Sequence, residues 1–210
     1  MNRTIIVLCL LLTSLATKAQ GSYCNTFAEY IGGHFTQLEQ LQMQTRSKSK
    51  RIWWGGVDFL PVTGDKATDK ILKKQACVVM YHDSIYLNCR NLSCQGVAFG
   101  KGYARAYVFE RDYLLFCAQS IKARQKTSSA ALAFGLLGGA IAASSLSDNY
   151  SCYILNPGTG VVELIDKNVM HRLLEERNDL EMEYRLTDPK LNFHPETLLP
   201  FLIKQGLIEE

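Results

Sequence analysis

Between Cys77 and Gln119 the chain changes period, and that stretch restricts the fold more than any other feature. Four runs rich in β-branched and aromatic residues occur there: 77–81 (CVVMY), 85–89 (IYLNC), 103–109 (YARAYVF) and 113–119 (YLLFCAQ). They are separated by turn-forming groups, among them Gly100-Lys101-Gly102 and Glu110-Arg111-Asp112. The pattern predicts an antiparallel sheet of hairpins. A further hairpin is expected where 152–156 and 161–166 flank Pro157-Gly158-Thr159-Gly160, because proline presets φ and glycine allows a positive one.

Helical spacing appears on both sides of these strands. Phe27, Ile31, Phe35, Leu38 and Leu41 predict an amphipathic helix within 25–45, weakened by Gly32-Gly33. Asp65 reads as the cap of a short basic helix to Gln75. Asn168 reads as the cap of a helix burying Val169, Met170, Leu173 and Leu174, and a second turn is expected from Asn178 or Asp179 through Leu180 and Tyr184. A last helix is predicted over 197–205, with Pro200 in its first turn and Gly206 as its stop. Arg46, Lys48, Lys50 and Arg51, interleaved with serine, read as a solvated connector, followed by Trp53 and Trp54 as core or sheet-edge anchors. The fold class expected is α+β, an antiparallel sheet of hairpins with flanking helices.

Composition restricts the class of protein. With 47% hydrophobic and 20% charged residues and 5 prolines in 210, the chain is neither disordered, collagen-like nor a polytopic membrane protein. Met1-Asn2-Arg3, an uncharged run from Thr4 to Ala16, and small residues at Thr17 and Ala19 have the build of a secretory signal peptide over 1–19, cleaved before Gln20. Residues 20–210 are then expected to form one domain. Without Arg3 and Lys18 the formal charge falls from +3 to +1, which does not suggest a nucleic-acid partner. Residues 21–126 carry 15 Lys+Arg against 8 Asp+Glu, and residues 127–210 carry 6 against 12, so the halves should attract, within one fold before between subunits.

Six cysteines remain beyond the leader, and an even number in an exported chain permits disulfides. If Tyr81 pairs with Ile85, Cys77 falls opposite Cys89; a change of register by one residue breaks that pairing. Cys117 and Cys152 bracket the uncharged segment and could staple its base. The alternative is that all of them are buried thiols.

That segment, 127–147 (TSSAALAFGLLGGAIAASSLS), has 21 consecutive uncharged positions. Ala131, Gly135, Gly139 and Ala143 recur every fourth residue, a spacing that lets helix backbones approach closely, and the length would just cross a bilayer. Against a stable span, nine positions are Gly, Ser or Thr, and Lys122, Arg124 and Lys126 would stand on the exported side. The segment is expected to be a hydrophobic insertion between two strands, flexible or packed, with membrane, partner or homo-oligomer contact through Ala131, Phe134, Gly135, Leu136, Leu137, Gly139, Ile141 and Ala143 as the alternative.

Nothing converges on chemistry. His34, His82, His171 and His194 are scattered without metal-ligand spacing, no cysteine pair suggests zinc, and no glycine loop precedes a helix as phosphate binding requires. His82-Asp83-Ser84 holds triad residue types, but neighbours in a turn point apart whereas a relay must converge. The acidic run Glu175, Glu176, Asp179, Glu181 and Glu183 reads as a wet helix face rather than a calcium loop. No catalytic, cofactor-binding or metal residue is therefore assigned, and no cofactor is expected.

The leader ending in Ala-Gln, the stretch GGVDFLPVTGDKATDKILKK, the phrase SIYLNCRNL, the Gly/Ala insertion after strands and the ending YILNPGTGVVELI together resemble uncharacterised exported proteins of Bacteroides-type bacteria. Asp83-Ser84-Ile85 similarly looks like the short O-glycosylation acceptor of such bacteria. The resemblance implies an origin and a compartment, and brings no activity. Three functions stay open: a non-catalytic interaction protein of the periplasm or envelope, a protein that inserts in membranes or oligomerises through 127–147, and a hydrolase using His82 with distant groups.

Overall fold

The computed structural model describes residues 21–47, 51, 57–109, 112–121, 150–175, 177, 179–180 and 193–209. Its centre is a large antiparallel sheet. The strands are β1 (Gly21–Cys24), β2 (Thr36–Leu38), β3 (Gln42–Thr45), β4 (Phe59–Val62), β5 (Val78–Tyr81), β6 (Ser84–Asn88), β7 (Ser93–Cys94), β8 (Val97–Ala98), β9 (Tyr103–Phe109), β10 (Tyr113–Gln119), β11 (Tyr150–Asn156) and β12 (Val161–Leu164). The main path runs β12-β11-β10-β9-β6-β5-β1-β2, with β4 branching from β9 to carry β3, and β7 and β8 forming a small ribbon of their own. The helices are α1 (Phe27–Ile31), α2 (Lys66–Lys74), α3 (Lys167–Leu173) and α4 (Pro195–Lys204). The fold is α+β, as the strand pattern predicts.

Alternation along the central strands explains how one sheet serves several cores, since successive side chains face opposite sides. Leu114, Phe116 and Ala118 of β10 join Ala104, Ala106, Tyr153 and Leu155 on one face, closed by Leu92, Cys94 and Phe99 from around the β7–β8 ribbon. Phe99 meets the Tyr153 ring edge-on at 4.7 Å and that of Phe116 at 5.4 Å. The opposite face carries two separate patches. Leu115, Cys152, Ile154 and Phe109 lie under α3 and α4, and Tyr23, Val79, Tyr86 and Tyr103 lie under Leu72 of α2.

Local chemistry sets the helix ends. The Asp65 carboxylate accepts from the Thr68 amide at 2.7 Å, as its place before a basic helix predicts. Asp166, not Asn168, caps α3, accepting from the amides of Asn168 and Val169, each at 3.0 Å. Two buried polar groups close α2 at its other end. Asn88 Nδ2 donates to the Leu72 and Ala76 carbonyls at 3.2 and 2.7 Å, and the Tyr103 hydroxyl donates to the Leu72 carbonyl at 2.5 Å. These carbonyls have no partner inside the helix, so the cross-chain donors satisfy what would otherwise be buried and unpaired.

Three predicted elements differ. The helix expected within 25–45 is only α1; Gly32-Gly33 ends it, and Thr36–Leu38 leaves to pair with β1 as β2. Pairing along a sheet edge thus outweighs a helical periodicity that two glycines interrupt. The β5–β6 hairpin pairs Tyr81 with Ser84 rather than Ile85, because its turn is the two residues His82 and Asp83, at φ of 45° and 60°. Such a turn matches the right-handed twist of the flanking strands. Finally, α4 starts at Pro195, so Pro200 is an interior residue and leaves the Glu196 carbonyl without its helical donor. Burial of Leu198, Phe201 and Leu202 holds that helix nonetheless. It stops where Gly206 and Leu207 donate back to Ile203 and Leu202, both at 2.9 Å.

Candidate functional site

The strands on either side of the uncharged segment are direct neighbours. β10 pairs with β11 from Leu114↔Leu155 to Gln119↔Tyr150, so no strand of the sheet separates them, and the chain leaves and rejoins the sheet at one place. The insertion residues Ala131, Phe134, Gly135, Leu136, Leu137, Gly139, Ile141 and Ala143, like Trp53 and Trp54, lie outside the described residues.

Polar groups concentrate where the segment departs. Tyr150, the first described residue after it, donates to Asp58 Oδ1 at 2.7 Å and accepts from Arg51 Nη1 at 2.7 Å, while Arg51 also pairs with Asp58. Burial and then the bond to Asp58 push the Tyr150 pKa up. Burial opposes the Arg51 charge, but Tyr150 and Asp58 outweigh it and the guanidinium's pKa is raised. Arg46 is 7% exposed and its Nη1 donates to the carbonyls of Val57 and Lys101 at 3.1 and 3.0 Å. Burial followed by the nearby Arg51 charge lowers its pKa. The expected solvated connector is therefore corrected at both of its arginines: Arg46 fastens the loop before β4 to the residues leading into β9, and Arg51 ties Asp58 of that loop to Tyr150 at the start of β11. Deeper in, the Tyr153 hydroxyl accepts from the Ile121 amide at 3.0 Å and donates to the Gln119 carbonyl at 3.2 Å. Its own pKa is pushed up to about 12, chiefly by burial.

Among the described residues the six cysteines stand as free thiols, with no sulfurs at bonding distance. The Cys77–Cys89 pairing is overturned by the hairpin register: Asn88, not Cys89, donates its amide to Cys77, at 2.8 Å. Cys77 instead approaches Cys24, with sulfurs 3.7 Å apart. Their shared hydrogen bond is the main cause of a lowered pKa at Cys24 and a raised one at Cys77. Cys117 and Cys152 are a directly opposed pair, with sulfurs 3.1 Å apart. The Cys152 thiol is shifted upward by its hydrogen bond to Cys117 and by burial.

His82 and Asp83 form the hairpin turn, the His82 ring edge-on to Tyr81 at 4.1 Å. Beside the turn lies an open groove of about 640 Å³, lined by Asp83, Ser84, Arg105, Tyr107 and Asp112 and walled by the tail 206–209. On β9, Arg105 falls between Tyr103 under α2 and Phe109 under α4, so the groove is the strip of sheet that neither helical patch covers. His82 is not part of its lining, and among the described residues no hydrogen bond joins it to Ser84. His34 and His171 are exposed, and His194 precedes α4, 3.9 Å from the Glu196 carboxylate. Among the described residues no three His, Cys, Asp or Glu side chains gather as metal ligands would. Of the acidic run, Asp179 stands 3.8 Å from Arg177, and Glu176, Glu181 and Glu183 lie outside the described residues.

No signal in the sequence marks Arg46, Asp58 and Tyr150 as neighbours. They converge only once β4 branches from β9. Fold and site together define an α+β protein in which Arg51, Asp58 and Tyr150 form a polar cluster at the start of β11. The chain belongs to a family of unknown function (DUF6563), whose model matches residues 22–209. No curated protein and no solved structure matches it.

Proposed function

We propose that the chain is an exported, non-catalytic interaction protein of the periplasm or cell envelope, and that residues 127–147 make the contact. The observation that carries this is the β10–β11 pairing: 28 residues, 122–149, stand between Ile121 and Tyr150 at one end of a closed hairpin. An apolar segment placed there can meet a partner without disturbing the sheet, and Arg51, Asp58 and Tyr150 brace one side of its base. Among the described residues no helix is long and apolar enough to cross a membrane. The leader-like first 19 residues and the similarity to exported proteins of Bacteroides-type bacteria support the compartment.

Fractionating cells that express the full chain tests this reading. The product is expected in the periplasmic or envelope fraction, with Gln20 as its first residue. A cytosolic product that still begins at Met1 contradicts it.

A further inference from the structure

We propose that oxidation of the folded chain closes two disulfides, Cys24–Cys77 and Cys117–Cys152. The pairing rests on geometry alone; only where it happens in the cell rests on the export reading above.

Cys117 and Cys152 occupy one register position of β10 and β11. Directly opposed residues of an antiparallel pair have Cα atoms roughly 4.5–5.5 Å apart, inside the span a disulfide tolerates. Their sulfurs, at 3.1 Å, have only to close to about 2.05 Å, which a side-chain rotation supplies without moving backbone. For Cys24 and Cys77 the route is less regular. Cys24 pairs in register with Val78, and strict alternation would send Cys77 to the opposite face. Cys77 lies just before β5 begins, and its side chain packs on the same face as Cys24. The Cys77 amide donates to the Cys24 carbonyl at 2.9 Å and the sulfurs stand 3.7 Å apart. In each pair one member is buried and the other partly exposed, so an oxidant can reach one sulfur while its partner waits behind it.

Each closure is a dithiol–disulfide exchange. The thiolate of one member attacks a disulfide of the oxidant, either oxidised glutathione or a disulfide-bonded protein oxidant, and expels one thiol. The second member then attacks the mixed disulfide and expels the other. Two S–H bonds are lost and one S–S bond forms; the two protons and two electrons end on the oxidant, now two thiols. The first bond would tie strand β1, at the start of the mature chain, to the sheet, and the second would lock the hairpin from which the uncharged segment departs.

The test takes the purified full chain, equilibrates it in oxidised glutathione, quenches with acid and maps peptides by mass spectrometry without reduction. Peptides linking Cys24 to Cys77 and Cys117 to Cys152 are expected to carry most of the Cys24 and Cys117 signal. Cys77→Ser should free the Cys24 peptide and leave the Cys117–Cys152 link intact. A dominant Cys77–Cys89 link, or Cys24 and Cys117 recovered unlinked from the folded protein, overturns the assignment. If the purified chain closes both bonds while the cellular product carries thiols at all four positions, the pairing stands and the export reading fails.

Discussion

Asn88→Ala is expected to destabilise the folded chain by about 3 kcal/mol, the sum of a few buried hydrogen bonds at roughly 1 kcal/mol each and the penalty for an unpaired acceptor. The asparagine is 4% exposed and does three things. It donates to the Leu72 and Ala76 carbonyls and accepts from the Arg90 amide at 3.1 Å. Tyr103 still serves Leu72 in the variant, but the Ala76 carbonyl loses its side-chain donor in a place water does not reach. The damage should therefore appear at the end of α2 first. A urea titration followed by circular dichroism reads the change as a lowered midpoint. A loss under about 1 kcal/mol would mean that water replaces the amide and that the site is not sealed.

Gly102→Ala should cost about as much, for a different reason. At φ of +106° a side chain is strained wherever it points, and a Cβ would stand 3.1 Å from two backbone oxygens, those of Val57 and Phe59. Neither oxygen can yield. The Lys101 carbonyl accepts from the Val57 amide at 3.0 Å, the Gly102 carbonyl accepts from that of Cys89 at 3.0 Å, and Phe59 pairs with Tyr103 where β4 joins β9. Backbone strain of this kind costs on the order of 1–3 kcal/mol before crowding is added. The expected total is about 3 kcal/mol, measured as a shift in the same urea midpoint. An alanine variant as stable as the parent would show that β4 is not held to β9 as described.

The two positions also show what the sequence makes legible. β9 and β10 begin and end where the strand-like runs do, because their residues alternate between two buried faces and polar turn residues bound them. The β5–β6 register shifts by one residue because a two-residue and a three-residue turn both fit His82-Asp83-Ser84; only the positive φ values of His82 and Asp83 decide it. That shift alone moves Cys77 away from Cys89. β2, β3 and β4 have no comparable signature: they are short, and Pro61 inside β4 reads as a break until it is seen opposite Met43. Arg46 looks like a surface charge because its acceptors, Val57 and Lys101, lie 11 and 55 residues further along. Asn88 has the same history, its acceptors lying 12 and 16 residues earlier. Local pattern finds strands that bury both faces; it cannot find polar groups whose partners arrive from elsewhere in the fold.

Removing residues 127–147 from the full chain, with a short Gly-Ser bridge between Lys126 and Asp148, tests the division between a self-sufficient sheet and a contact segment most directly. Envelope association and thermal unfolding are measured on the same variant. The account predicts a protein that melts within a few degrees of the parent and no longer fractionates with the envelope. A variant that stays associated as the parent does would contradict the assigned role of the segment, and one that fails to fold would contradict the independence of the β10–β11 hairpin from it.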